Sequence, residues 1–304
     1  MSPYTFFHLR FHYIRFLRIL QEGRAVFKKI FPKISGNLLQ KSALSVIMVS
    51  YKAICAVPEV PLLYSEMEHR IRLYPPQSSP MSSPTSLQAG NRCGTVCAVL
   101  PCARETEGRA VADILAVLSP ETVLCTVAVD WNRELSPWQA PRAFSGGEDF
   151  GGGGSEFLAF LIGTLLPYLS KTYGFAQYAL CGYSLAGLFA LWAMMETDAF
   201  AGIASMSGSL WYDGFLTCLE KYGSAHRIPG FPVYLSLGDR ESAARNPHLA
   251  SVGVCTERAA DILCASGCCV KRASNPGNHF ADVAQRCADG IAWICGEIKN
   301  KQHL

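Results

Sequence analysis

A serine lies among small residues in the stretch LCGYSLAGLFALW, residues 180–192. Gly182, Ala186 and Gly187 allow a sharp turn around Ser184, because larger side chains there would collide with the returning backbone. Such a turn lifts the hydroxyl clear of a sheet and places it at a helix N-terminus, where unpaired N–H groups favour negative charge. These features predict a serine nucleophile. The alternative is a tight strand-to-helix turn with an incidental serine.

A serine nucleophile of this kind needs a histidine base and usually an acid, which follow it in the chain order serine, acid, histidine. Of the seven histidines, His279 is the best placed, since it lies in the turn SNPGNHF between the last predicted strand and the last predicted helix. Asp239 and Glu241 both follow the strand PVYLSL. Either carboxylate could orient the imidazole, and the other would then pair with a neighbouring arginine.

The elements that must position these residues alternate between strand-like and helix-like runs. Near-continuous apolar runs such as TVCAVL and VLCTVAV are typical of strands buried on both faces. We predict strands at 70–74, 95–100, 123–129, 177–181, 202–205, 232–237 and 269–273, and helices at 109–118, 155–169, 185–195, 249–265 and 280–298. This alternation predicts an α/β fold with a mostly parallel central sheet and helices on both faces. The carboxyl ends of its strands would carry the functional residues.

Composition sets the protein class. The 304 residues are 50% hydrophobic and 17% charged, as in globular proteins, and no apolar run reaches the length of about 18 residues that a membrane span needs. Thirteen cysteines, an odd number without a C-x-x-C pair, predict reduced thiols in a cytoplasmic protein. We expect no metal, no cofactor and no nucleic-acid partner.

Residues 1–52 carry nine Lys or Arg and one acid, although the net charge of the whole chain is only +3. We interpret residues 1–66 as a basic extension without fixed structure, ahead of one domain over residues 67–304. Weak contact of this basic segment with a membrane surface or a partner is the second interpretation, and an integral part of the fold is the third.

Several motifs resemble one known family. They are GYSLAG at the sharp turn, DWNRELSPW with FSGGEDFGGGG, SMSGSLWYDGF, LGDRE and NPGNHF. Together they are similar to the putative esterases of the α/β-hydrolase fold, a group that includes esterase D-like enzymes and the enterochelin-type siderophore esterases. The resemblance spans about residues 68–298, and it implies Ser184 as nucleophile, His279 as base and Asp239 or Glu241 as acid.

The resemblance also implies an oxyanion hole. Many α/β-hydrolases place a His-Gly-Gly run after the third strand, whereas this chain has LPCA there. Because Pro101 has no N–H to donate, the oxyanion would be held by the N–H of Leu185 together with that of Cys102 or Ala103.

The sequence thus predicts a serine esterase that acts on a small-molecule ester through an acyl-enzyme. The predicted substrate pocket is aromatic and consists of Trp131, Trp138, Tyr183, Trp211 and Tyr212, with ordinary packing as the alternative for the tryptophans. Acyl transfer by the same three residues, and binding without turnover, are the alternative functions.

Overall fold

The computed structural model describes residues 70–74, 95–143 and 146–301. The predicted basic extension, residues 1–66, and its proposed contact with a membrane surface lie outside this part of the chain. The described residues therefore belong to the predicted domain of residues 67–304.

A seven-stranded sheet forms the centre of this domain. Its strands are β1 (Ile71–Tyr74), β2 (Val96–Cys102), β3 (Val123–Ala128), β6 (Gln177–Tyr183), β7 (Gly202–Met206), β8 (Pro232–Gly238) and β9 (Cys269–Asn275); β4 (Gln139–Ala140) and β5 (Phe150–Gly151) form a separate two-stranded ribbon. The spatial order is β1-β3-β2-β6-β7-β8-β9. Only β1 pairs antiparallel in this sheet. The predicted mostly parallel sheet is confirmed.

Helices cover both faces of the sheet. They are α1 (Glu105–Leu118), α2 (Trp131–Glu134), α3 (Gly154–Phe160), α4 (Leu166–Tyr173), α5 (Leu185–Glu196), α6 (Phe215–Ala225), α7 (Pro247–Ala250), α8 (Val252–Ala265) and α9 (Val283–Asn300). Helices α3, α4, α5, α6 and α8 pack in the apolar cluster on one face, and α1 and α9 pack in the cluster on the other. Residues 185–194 of α5 are all buried, as the apolar circumference of this helix predicts.

The elements differ from the prediction at several boundaries. Strand β2 continues two residues beyond Leu100, and α9 begins at Val283 rather than at Phe280. The predicted helix over 155–169 is interrupted by a π-helical turn, Leu161–Leu165. Helix α6, which the sequence pattern did not predict, follows the turn that begins at Ser207. Within the described residues, no helix has both the length and the apolarity to cross a membrane.

Candidate active site

Ser184 lies at the turn between β6 and α5. Its φ of 56° and ψ of −118° form a backbone conformation that residues other than glycine rarely adopt. The turn is tight because a Cβ atom on Gly182 would overlap the carbonyl group of Ala186. Neighbouring backbone groups hold it: Ser184 donates its N–H to Met206 O at 3.0 Å and accepts from the N–H of Ser209 at 2.9 Å. A strained backbone conformation persists only where the surrounding structure holds it in place, and such positions are typical of functional sites.

A continuous chain of hydrogen bonds leads from this serine to a carboxylate. Ser184 Oγ lies 3.0 Å from His279 Nε2, and His279 Nδ1 lies 2.8 Å from Glu241 Oε2. An ionised carboxylate can only accept, so Nδ1 carries the proton and Nε2 is free to accept from the serine hydroxyl. The structure therefore brings together the predicted nucleophile, the predicted base and one of the two predicted acids.

Glu241 is buried, with 2% of its side chain exposed. Its other oxygen, Oε1, accepts from Ser207 Oγ at 2.6 Å, from the N–H of Gly238 at 2.7 Å and from Arg286 Nη1 at 3.0 Å. Burial by itself would raise the pKa of Glu241, but the hydrogen bonds from His279, Ser207 and Gly238 outweigh it, so the pKa lies below its ordinary value. The carboxylate is thus kept ionised beside the imidazole.

Asp239, the other predicted acid, does not contact the imidazole. It accepts the N–H of Gly277 at 2.8 Å and lies 3.8 Å from Arg240 Nε, with 56% of its side chain exposed. This carboxylate holds the loop that carries His279. It also forms a surface ion pair with an arginine, which is the role predicted for the acid that does not orient the imidazole.

Ser184 and His279 line a cavity of about 720 Å³. Of the five predicted pocket residues, Trp131 and Trp211 line it, and Trp138, Tyr183 and Tyr212 do not. Phe150 and Phe280, which the sequence analysis missed, add two aromatic rings to the lining. Both follow turns rich in Gly or Asn, where the pattern gives no indication of which way a side chain faces.

The three predicted pocket residues outside the lining have other contacts. Tyr183 is the last residue of β6, and its side chain packs in the apolar cluster on the face of the sheet that α1 and α9 cover. Its hydroxyl donates to His279 O at 2.6 Å. Tyr212 is buried and donates to Trp138 O at 2.6 Å, while the Trp138 indole donates to Asp213 O at 3.0 Å. These bonds fasten two loops to each other beside the cavity.

The predicted oxyanion donors are separated in space. Leu185 lines the cavity and belongs to the first turn of α5, where backbone N–H groups have no helical acceptor. Neither Cys102 nor Ala103 lines it. Because β2 extends to Cys102, this residue is held in the sheet opposite Ala128, and it borders a separate small cavity of about 50 Å³ beside Arg70 and Arg72.

Arg286 is a further residue that the sequence analysis missed. It lies in the first turn of α9, with 1% of its side chain exposed, and it pairs with Glu241. A signal was available, since Arg286 precedes Gly290 by one helical turn and therefore lies on the face of α9 that packs on the sheet. A charge on such a face predicts a buried partner. For metals, the described residues contain no cluster of three His, Cys, Asp or Glu side chains arranged as a binding site.

Comparison with known proteins agrees with the fold and the class of this protein. Residues 119–262 match the family model described as "Putative esterase". A comparison with curated proteins finds no match. The segment that matches contains the sharp turn at Ser184 and the loop of Glu241.

Solved structures resemble the domain at low sequence identity. An IroE-like serine hydrolase from Shewanella oneidensis has a TM-score of 0.61 and 19% identity, over 73% of this chain and 74% of its own. The siderophore hydrolase EstA from Aspergillus nidulans has a TM-score of 0.58 and 20% identity, over 75% of this chain and 90% of its own. The predicted α/β-hydrolase fold is thereby confirmed. The family match confirms the predicted resemblance to the putative esterases and the prediction of an esterase-type enzyme.

Proposed function

We propose that this protein, which resembles the putative esterases in sequence and has the α/β-hydrolase fold, cleaves carboxylic esters through an acyl-enzyme on Ser184. The observation that carries the proposal is the unbroken chain from Ser184 Oγ through His279 to Glu241, open to a cavity of about 720 Å³. A hydroxyl, an imidazole and a carboxylate in this order form the arrangement that activates serine for acyl transfer.

In the first half of the reaction, His279 Nε2 takes the hydroxyl proton as Ser184 Oγ attacks the ester carbonyl carbon. The carbonyl oxygen becomes an oxyanion, which the N–H of Leu185 stabilises. When the tetrahedral intermediate collapses, the bond to the alcohol oxygen breaks, and His279 gives its proton to the leaving alcohol. Glu241 stabilises the imidazolium that exists between these two transfers.

In the second half, water replaces the alcohol. His279 takes a proton from the water as its oxygen attacks the acyl carbon, and the same oxyanion forms again. Collapse releases the carboxylic acid and returns the proton to Ser184. The aromatic lining supplied by Trp131, Phe150 and Trp211 would bind the apolar part of a small-molecule ester.

The test is the intact mass of the protein after treatment with a fluorophosphonate, with hydrolysis of an activated acetate ester measured in parallel. We expect one adduct and measurable turnover for the wild type, and neither for Ser184→Ala, whose turnover should fall about 10⁴-fold or more. A folded wild-type protein that forms no adduct and does not hydrolyse the ester would contradict the proposal and favour binding without turnover.

A further inference from the structure

Arg286 is the largest side chain among the fully buried residues of the described chain. A buried guanidinium is costly unless charged and polar partners compensate for its lost hydration. Its partners here all belong to the site around His279, although none of its atoms lines the cavity. The cost of burying this charge therefore needs an explanation within the site.

The guanidinium bonds to four separate segments. Its Nη1 donates to Glu241 Oε1 at 3.0 Å, to Ser207 Oγ at 3.2 Å and to the Tyr183 hydroxyl at 3.3 Å. Its Nη2 donates to Pro276 O at 2.8 Å. One planar group thus connects the end of β6, the turn after β7, the turn after β8 and the loop after β9.

These bonds hold both members of the hydrogen-bonded pair of His279 and Glu241 in place. With Oε1 engaged by Arg286, the Glu241 carboxylate presents Oε2 to His279 Nδ1. The bond to Pro276 O holds the loop that carries His279, at a point three residues before this histidine. Resting on the proposed function, we propose that Arg286 is a positioning residue that holds Glu241 and His279 in the geometry in which His279 accepts the Ser184 proton.

Two substitutions separate position from charge. Arg286→Met removes the cation and all four bonds, whereas Arg286→Lys keeps the charge but lacks the planar fork that reaches both Glu241 and Pro276. Arg272→Met is the matched control, since Arg272 on β9 also pairs with two carboxylates, those of Glu257 and Asp261, but at the exposed surface. For each folded variant we would measure kcat and KM, with kcat expressed per active site labelled by the fluorophosphonate.

We expect kcat to fall about tenfold or more in both Arg286 variants while KM changes little. The control should retain the wild-type kcat and KM. If Arg286→Met does not fold, the kcat of Arg286→Lys alone tests the positioning role of Arg286.

A wild-type kcat per labelled site in Arg286→Lys, or in a folded Arg286→Met, would overturn the inference and leave Arg286 with a role in folding alone. Failure of the proposed function would give a different result, because the wild type itself would then neither react with the fluorophosphonate nor hydrolyse the ester.

Discussion

The two sides of the candidate site are made of different chemistry. Behind His279 lies a back wall of polar groups, which are the half-buried Tyr183 and the buried Ser207, Glu241 and Arg286. In front of Ser184 lies a front wall of aromatic rings, which are Trp131, Phe150, Trp211 and Phe280. The back wall is held by hydrogen bonds among strand ends, whereas the front wall comes mainly from the longer loops and α2.

This difference separates two tasks. Proton transfer needs atoms fixed to within a few tenths of an ångström, and a buried network of hydrogen bonds provides this. Substrate binding needs apolar area whose exact arrangement can vary, and loops supply it. Changes in the back wall should therefore act on kcat and stability, and changes in the front wall should act on KM.

The largest effect should come from Glu241→Gln compared with Asp239→Asn. The amide of glutamine can neither stabilise an imidazolium nor hold the same tautomer, so we expect kcat to fall about 10³- to 10⁴-fold. Asp239 is on the surface side of the same turn, and its variant should lose no more than about threefold, the effect of one weakened loop contact. Steady-state kinetics on an activated ester measures both. Equal losses in the two variants would remove the distinction between the buried and the exposed acid.

Gly238→Ala should break the back wall sterically. A Cβ atom there would overlap the carbonyl group of Gly277 and lie 2.9 Å from both Arg286 Nη2 and Glu241 Oε1. Because none of these atoms can move without losing a buried bond, we expect the free energy of unfolding to fall by about 3 kcal/mol or more. Urea denaturation measures this change.

Gly296→Ala is the matched control for that substitution, since its Cβ would meet no atom within 4 Å in the interior of α9. It should stabilise the protein by about 0.5–1 kcal/mol through helix propensity. A Gly238→Ala protein as stable as the wild type would show that the back wall yields more easily than its contacts indicate.

Acid should weaken the back wall in a defined direction. The pKa of Glu241 is lowered on folding, so its ionised form contributes stability above its ordinary pKa of 4.5, and this contribution is lost as the pH falls through the folded-state pKa. The free energy of unfolding of Glu241→Gln should therefore decrease less steeply below pH 4.5 than that of the wild type. Denaturation at pH 7, at pH 4 and at pH 3 compares the slopes, with Glu220→Gln, which removes an exposed carboxylate paired with Arg258, as the control. Parallel curves for all three proteins would contradict the expectation.

The sequence predicts the candidate catalytic residues better than it predicts either wall. Ser184 and His279 could be located because a sharp turn and a Pro/Gly turn mark strand ends, and parallel strand ends meet at one edge of the sheet. The sequence does not decide between Asp239 and Glu241, because two residues on one turn differ only in how the turn directs their side chains. The short 3₁₀ turn that begins at Glu241 directs it inward.

The front wall depends on loop conformation and on the direction in which each side chain faces, and amino-acid composition encodes neither. Tyr183 does not line the cavity, because its side chain packs on the face of the sheet that α1 and α9 cover. Cys102, a predicted oxyanion donor, does not line the cavity, and its strand runs two residues longer than the apolar pattern indicates. Trp138 and Tyr212 are aromatic like the true lining, but their polar atoms bond to each other's loops.

The smallest effect should come from Phe280→Ala in the front wall. The Phe280 ring is 84% exposed and its centre lies 5.2 Å from that of His279, so it can contact a bound ester without supporting the fold. We expect KM for a bulky ester to rise about fivefold, the equivalent of about 1 kcal/mol of apolar contact, with kcat for a small acetate ester within about twofold of the wild type. The free energy of unfolding should change by less than about 0.5 kcal/mol. Val254→Ala, an exposed apolar side chain outside the cavity, should alter neither constant. If Phe280→Ala instead lowers kcat for the small ester, this ring helps to position His279, and the separation of the two walls fails at the residue where they meet.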